Sequence, residues 1–112
     1  LQLMLPMISD VGEVDEAMAL IRRAHQELQE EGVHVLLPPV GVMIEVPSAV
    51  YMIDALAQRV AFFSVGTNDL TQYLLAVDRN NKKVAGHFNA LHLRLLVFSL
   101  FPLCLFQPFP DD

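Results

Sequence analysis

Two carboxylates and an arginine stand just beyond apolar runs, where side chains that carry chemistry are often placed. Glu45 ends one such run, and Asn68 and Asp69 follow the next one. Mg²⁺ takes one or two carboxylates in proteins while water and substrate oxygens complete its octahedron. Thr67 and the amides after it offer an anion-binding nest, and Arg79 can clamp a phosphate or carboxylate with two hydrogen bonds. This pattern predicts a metal site for a small phosphorylated or carboxylated molecule.

Each of these residues also has an ordinary structural explanation. Glu45 and Asp69, taken singly, are of types that more often cap helices or form surface ion pairs. Asp78 and Arg79 are adjacent and can simply pair with each other. Spacing alone therefore leaves both the metal site and the structural explanation open.

The elements that position these residues alternate between strand and helix. Strands are predicted over Leu1–Met7, Gly41–Val46 and Val60–Val65, with helices from Ser9 or Asp10 to Gly32, over Ala49–Ala57 with Ser48 as cap, and from Asn68 or Asp69 to Ala76. Short connections in this order are typical of a parallel sheet with crossover helices. In such folds the carboxyl ends of the strands gather the active-site residues.

The first strand and the first helix carry the clearest local signals. The apolar run Leu1–Met7 predicts a strand buried on both faces. Asp10 with Glu13 forms the pattern of a capping box, and Gly32 is the expected stop. Apolar residues recur along this helix at helical spacing, at Val14, Met18, Ile21, Ala24 and Leu28.

Composition limits the class of protein. The chain has 112 residues, of which 54% are hydrophobic and 18% charged, so it has room for one core and is not a disordered chain. Thirteen acidic against seven basic side chains give a formal net charge of −6. That balance argues against nucleic acid and anionic membrane surfaces as partners.

The single cysteine and the longest apolar stretch bear on location. Cys104 has no second cysteine to pair with, which favours a reduced, cytoplasmic setting. The stretch Leu95–Phe106 is only about a dozen residues, short of the ~20 needed to span a bilayer. We therefore expect a cytoplasmic chain with no membrane segment and no export signal.

Three blocks of the sequence resemble one family. They are GVMIEVPSA from Gly41, FSVGTNDLTQY from Phe63 and AVDR from Ala76. Together with Leu3-Met4-Leu5-Pro6-Met7-Ile8, they resemble the phosphoenolpyruvate-binding domain of the phosphoenolpyruvate-utilising enzymes. Within that family they are most similar to phosphoenolpyruvate–protein phosphotransferase, enzyme I of the bacterial phosphotransferase system, and particularly to its nitrogen-related paralogue. The GTNDLTQY block with AVDR at this distance is far more specific than a lone glycine motif.

The resemblance implies a fold, a cofactor and roles for site residues. It implies a (β/α)₈ TIM barrel, of which this chain carries about three βα units, binding phosphoenolpyruvate and Mg²⁺ at the carboxyl-terminal face. Glu45 and Asp69 would be the metal ligands, Asn68 and Asp69 would contact the substrate, and Arg79 would hold the phosphate. The phosphoryl group would pass to a histidine on a separate domain, and from there to a histidine-containing phosphocarrier protein.

Parts of the family pattern are missing from the chain. The phosphohistidine domain, the earlier barrel strands and the Gly-Met-Cys-Gly setting of the family's catalytic cysteine are absent, and Cys104 lies in an apolar context that does not suit that role. Residues 1–86 are therefore interpreted as a partial barrel domain, and residues 87–112 as a divergent apolar tail, irregular or helical near Leu91–Leu100. His25, His34, His87 and His92 share no ligand spacing.

Several alternatives remain open at this point. The segment is also compatible with pyruvate phosphate dikinase, phosphoenolpyruvate synthase, or a Mg²⁺-dependent aldolase or lyase of oxo-acids. A non-catalytic interaction fragment is the alternative from another class. We expect no phosphotransfer from this chain alone, and we expect self-association, because three βα units leave strand edges and apolar helix faces uncovered.

Overall fold

Parallel strands and helices alternate along the chain in the predicted order. The computed structural model describes residues 1–88. Its elements are β1 Leu3–Leu5, α1 Val11–Glu30, β2 Val40–Ile44, α2 Pro47–Tyr51, α3 Ile53–Ala57, β3 Phe62–Val65, α4 Thr67–Leu75 and a 3₁₀ turn at Ala85–His87. The α/β class is confirmed. The predictions for a helix near Leu91–Leu100, for His92 and for Cys104 lie outside the described residues.

The three strands form one parallel sheet in the order β1-β2-β3. Its register places Met4 beside Gly41 and Gly41 beside Phe62. Because side chains alternate along a strand, these residues share one face, while Val42 and its neighbours share the other. The carboxyl ends of all three strands point to the same edge of the sheet.

One face of the sheet is covered by the helices. Val42 and Ile44 of β2 are fully buried there, together with Leu56 of α3 and Leu70 of α4. Val14 of α1 joins the same cluster. Burial of aliphatic side chains of this kind contributes about 1.5–3 kcal/mol each, so this face holds the described elements together.

The opposite face is only partly covered within residues 1–88. Gly41 lies directly under the Phe62 ring, where a β-carbon would collide with it. Met4 is 40% exposed on this face, and Met43 and Ser64 are half-buried. Parallel sheets are usually covered on both faces, so this face is the one that lacks a partner layer in the described part of the chain.

Two predictions about local structure were wrong. β1 is not buried on both faces, because Met4 is 40% exposed on one face and Leu3 and Leu5 are only half-buried on the other. The second predicted helix begins at Pro47 and is interrupted at Met52, whose φ of −104° and ψ of 14° separate α2 from α3. Ser48 therefore lies inside the first turn, and its hydroxyl donates to the Ser9 carbonyl at 2.7 Å.

The capping prediction for α1 is confirmed. Asp10 is the N-cap and forms a full capping box with Glu13, and Gly32 follows the helix end with a φ of +82°, a conformation that glycine adopts easily. Among the predicted apolar positions Val14 is fully buried, while Leu28 is 39% exposed. Twenty residues span about 30 Å, so the distal half of α1 extends beyond the short strands.

Candidate metal and phosphate site

Glu45 is a buried carboxylate at the carboxyl end of β2. It follows Ile44 directly and is 4% exposed. The backbone N–H of Met7, in the loop after β1, donates to its Oε1 at 2.6 Å. A buried carboxylate is costly unless polar partners or a cation satisfy it, and this amide is its one donor within residues 1–88.

Gly66 brings the next strand end against this carboxylate. Its N–H donates to the Ile44 carbonyl at 3.0 Å, which continues the β2–β3 pairing past the end of β3. A β-carbon on Gly66 would stand 2.8 Å from both Cβ and Oε2 of Glu45, and 3.1 Å from the Met43 sulfur. Only glycine allows this approach, so Gly66, the glycine of the GTND block, is needed for close packing against Glu45.

α4 begins at Thr67 with Gly66 as its N-cap, and no side chain caps it. The prediction that Asn68 or Asp69 starts this helix as its cap was wrong, since both lie inside the first turn. Asn68 and Thr67 are exposed at this helix start. Asp69 thus has no capping role, which removes the simplest structural explanation for it.

Asp69 instead pairs with Arg79. Its Oδ1 lies 3.2 Å from Nη2 of Arg79, and the two side chains are 32% and 35% exposed. The Arg79 backbone N–H donates to Oε1 of Gln72 at 3.1 Å, which ties the segment after α4 back to that helix. Asp78 accepts a hydrogen bond from the Asn80 amide, so Arg79 pairs with Asp69 rather than with its neighbour.

Arg79 keeps one nitrogen unsatisfied. Its Nη1 is buried and has no hydrogen-bond partner among the described residues. A buried guanidinium nitrogen without an acceptor is unfavourable, and a phosphate or carboxylate oxygen is the partner that fits its fork geometry. A buried guanidinium nitrogen without a partner, in an arginine paired with the partly exposed Asp69, is a feature expected of a site that receives an anion.

The donor set fits a hard divalent cation completed by other ligands. The strand end at Glu45 touches Gly66, and Asp69 stands three residues further on, in the first turn of α4. Residues 1–88 contain no group of three or more His, Cys, Asp or Glu side chains arranged for a metal. Two carboxylates are nevertheless a sufficient protein contribution for Mg²⁺, which keeps water and substrate oxygens in its shell.

Other polar features lie away from this edge. A surface cavity of about 340 Å³ between α1 and α3 is lined by Asp15, Met18, Arg22, Gln58 and Arg59. Asp15 accepts a hydrogen bond from Arg59 there at 2.8 Å. His25 contacts the Val35 carbonyl at 2.7 Å and holds the loop after α1. No helix in the described part is long and apolar enough to cross a membrane.

Comparison with known protein families decides the assignment. A family model described as "PEP-utilising enzyme, PEP-binding domain" matches residues 1–98 of this chain. The chain belongs to the PEP-utilising enzyme family. The resemblance carried by the GTNDLTQY and AVDR blocks is thereby confirmed.

Curated relatives have names that refer to phosphotransfer. The chain is 54% identical over 97 residues to "Phosphoenolpyruvate-dependent phosphotransferase system" of Escherichia coli K12, covering 86% of the chain and 13% of that protein. It is 47% identical over 97 residues to "Phosphoenolpyruvate-protein phosphotransferase" of Haemophilus influenzae, covering 86% and 17%. It is 44% identical over 95 residues to "Multiphosphoryl transfer protein 2" of E. coli K12, covering 82% and 11%. The chain thus spans less than a fifth of the length of these relatives.

The sequence pattern indicated the charged residues of the candidate site but not the groups that contact them. Met7, Gly66 and Gln72 act through backbone position or a backbone hydrogen bond. Gly66 lies in a recognised motif and was within reach of a sequence argument. The contact of Met7 with Glu45 joins residues 38 positions apart, and no local pattern signals it.

Proposed function

We propose that this chain forms part of the phosphoenolpyruvate site of a phosphoenolpyruvate–protein phosphotransferase and contributes metal ligands and a phosphate-binding arginine. The observation that carries the proposal is a buried Glu45 carboxylate at the strand end that Gly66 contacts, with the Asp69–Arg79 pair in and after the helix that starts there. Nη1 of Arg79 lacks a partner within the described residues. Family membership and the names of the relatives support the same substrate.

In this proposal Glu45 and Asp69 hold Mg²⁺, and Arg79 holds the phosphoryl group. The ion supplies positive charge to the phosphate and carboxylate oxygens of phosphoenolpyruvate. Asn68, exposed at the start of α4, contacts the substrate through its side chain or amide. Asp69 would contribute a carboxylate oxygen to the ion in place of part of its interaction with Arg79, and the guanidinium would then be available to bind phosphate with both of its terminal nitrogens.

The protein's contribution to such chemistry is positioning and charge stabilisation. The phosphorus–oxygen bond of phosphoenolpyruvate breaks as a bond to a histidine nitrogen forms, and the enolate takes up a proton to give pyruvate. The histidine belongs to a domain not present in this sequence, and a phosphocarrier protein receives the group from it. We propose that the parallel sheet is part of a (β/α)₈ barrel, which accounts for the incompletely covered face that carries Met4 and Phe62.

Relatives named for protein phosphotransfer favour this function over a dikinase, a synthase or a lyase. Cytoplasmic location, inactivity of the chain by itself and self-association stay predictions. Exposed apolar side chains support the last of these, since Leu36 is 94% and Leu20 is 68% exposed.

Isothermal titration calorimetry of the 112-residue chain with phosphoenolpyruvate or its analogue oxalate tests the proposal. We expect binding that requires Mg²⁺ and that Glu45→Gln and Asp69→Asn each abolish. Glu27→Gln is the matched control, because Glu27 is an exposed carboxylate paired with Arg23 on α1, and it should bind like the wild type. Absence of Mg²⁺-dependent binding by the wild type would favour a non-catalytic interaction fragment instead.

A further inference from the structure

The loop between β1 and α1 has an unusual backbone conformation. Met7 has a φ of +54°, in the left-handed region that residues other than glycine seldom adopt. Its side chain is 46% exposed, so burial of the side chain does not explain this conformation. Backbone strain of this kind persists where the surroundings enforce it, and it is frequent at ligand sites.

Contacts before and after Met7 hold the loop in place. Before it, β1 is paired with β2 through Leu5 and Val42. The Ser9 carbonyl accepts from the Ser48 hydroxyl at 2.7 Å, which ties the loop to the start of α2. The amides of Ser9 and Asp10 donate to Glu13 Oε2 at 2.8 and 3.2 Å. The loop is therefore held by β1 before Met7 and by α1 and the β2–α2 junction after it, and the Met7 N–H between them is directed at Glu45.

The Glu45 carboxylate lies between two backbone segments. Met7 holds Oε1 through its amide, and Gly66 lies close to Oε2 on the side that leads into α4. Fixing one oxygen in this way removes rotational freedom from the carboxylate. The second oxygen is thereby directed toward the strand end from which Asp69 follows.

We propose that Met7 is a positioning residue whose backbone amide, held in the left-handed conformation, orients Glu45 for metal binding. The inference rests on the proposed function, since the metal is the one proposed there. It assigns the role to the backbone of residue 7 and none to its sulfur or side chain. Substitutions that change backbone preference without removing the amide therefore separate this role from simple side-chain packing.

Three substitutions in the full 112-residue chain provide the test, with Mn²⁺ affinity measured by electron paramagnetic resonance. Met7→Gly adopts positive φ easily, and Met7→Leu matches methionine in size, so both should stay within about twofold of the wild-type dissociation constant. Met7→Val resists positive φ and should weaken Mn²⁺ binding roughly tenfold. If Met7→Gly lost Mn²⁺ binding while Met7→Val kept it, the side chain of residue 7 would be what supports binding, and the proposal would be wrong.

A readout without metal separates this proposal from the proposed function. The amide proton of residue 7 should move upfield in the ¹H–¹⁵N spectrum of Glu45→Gln, because an amide oxygen is a weaker acceptor than a carboxylate. The Asn80 amide, which donates to Asp78 at 2.8 Å, is the internal control and should not move. An unmoved residue 7 amide would refute the contact. A moved amide in Glu45→Gln, together with a wild-type chain that binds no Mn²⁺, would instead refute the proposed function and the metal role of Met7 with it.

Discussion

The two carboxylates of the site are held in opposite ways. Glu45 is 4% exposed and is fixed by a backbone amide and by the close approach of Gly66. Asp69 is about one-third exposed and is held by the Arg79 side chain. In the site that we propose, the position of Glu45 is thus set by the fold, whereas Asp69 has a partner that it can exchange when an anion and a cation bind.

This difference suggests that the two carboxylates have different roles in the proposed site. A preset ligand lowers the entropy that binding must otherwise remove. In the proposed site, the pairing of Asp69 with Arg79 balances their charges before ligands bind, and metal binding by Asp69 would release Arg79 for phosphate. Changes around Glu45 should therefore affect folding, and changes around Asp69 should affect mainly ligand binding.

The largest effect on stability is expected from Gly66→Ala. The new β-carbon would lie 2.8 Å from Glu45 atoms on a rigid strand end, and overpacking of this kind costs about 1–3 kcal/mol. Urea unfolding followed by circular dichroism measures it. Gly86→Ala is the control, because a β-carbon there meets nothing within 4 Å, and its change should stay within about 0.5 kcal/mol. If both substitutions reduced stability equally, close packing of Gly66 would not hold Glu45, and Glu45 would not differ from Asp69 in this respect.

A smaller change in stability is expected from Arg79→Leu. The pair with Asp69 is partly exposed, and such pairs contribute at most about 1 kcal/mol. The same urea experiment should show this limit, while Mg²⁺-dependent binding of phosphoenolpyruvate is lost. Arg23→Leu breaks the more exposed pair with Glu27 and should leave both quantities unchanged. A loss of stability above that of Gly66→Ala would show that Asp69 is held as firmly as Glu45.

The smallest effect on stability is expected from the capping box at the start of α1, which follows the loop containing Met7. Three hydrogen bonds to the Glu13 carboxyl lower its pKa. The largest effect comes from the Ser9 amide, then from the Asp10 amide and the Ser9 hydroxyl. A folded pKa below the unfolded one stabilises the fold at neutral pH, and this contribution disappears as pH falls through the lowered pKa. Between about pH 7 and about pH 3 the melting temperature of the wild type should fall slightly more than that of Glu13→Gln. An equal fall in both would contradict a role for the ionised carboxyl.

Local signals were sufficient for most of the framework. The capping box of Asp10 and Glu13, the stop at Gly32 and the order of strands and helices follow from short-range pattern. The interruption at Met52 did not follow, because residues 47–57 contain no breaker after Pro47 and the break accompanies packing of two short helices on the sheet. The partial exposure of β1 depends on which elements cover its two faces. The hydropathy pattern of the strand does not specify them.

The sequence indicated the residue types of the candidate site and not their contacts. The placement of Glu45 at a strand end, and of Asp69 in the helix that starts after the next strand, followed from the general rule for parallel folds. The Asp69–Arg79 pair and the Met7–Glu45 hydrogen bond link residues 10 and 38 positions apart. Such links depend on how loops return across the sheet edge, and the sequence pattern of each loop by itself does not specify that.

We propose that Glu45 and Asp69 together hold one divalent cation. Paramagnetic broadening of ¹H–¹⁵N resonances by substoichiometric Mn²⁺ locates the ion directly in the wild-type chain. If Glu45 and Asp69 bind the ion, the resonances of Glu45, Gly66 and Asp69 should broaden first. The resonances of the acidic surface of α1 around Asp15 and Glu27 should stay sharp. Broadening centred on α1, with Glu45 and Asp69 unaffected, would contradict the proposal.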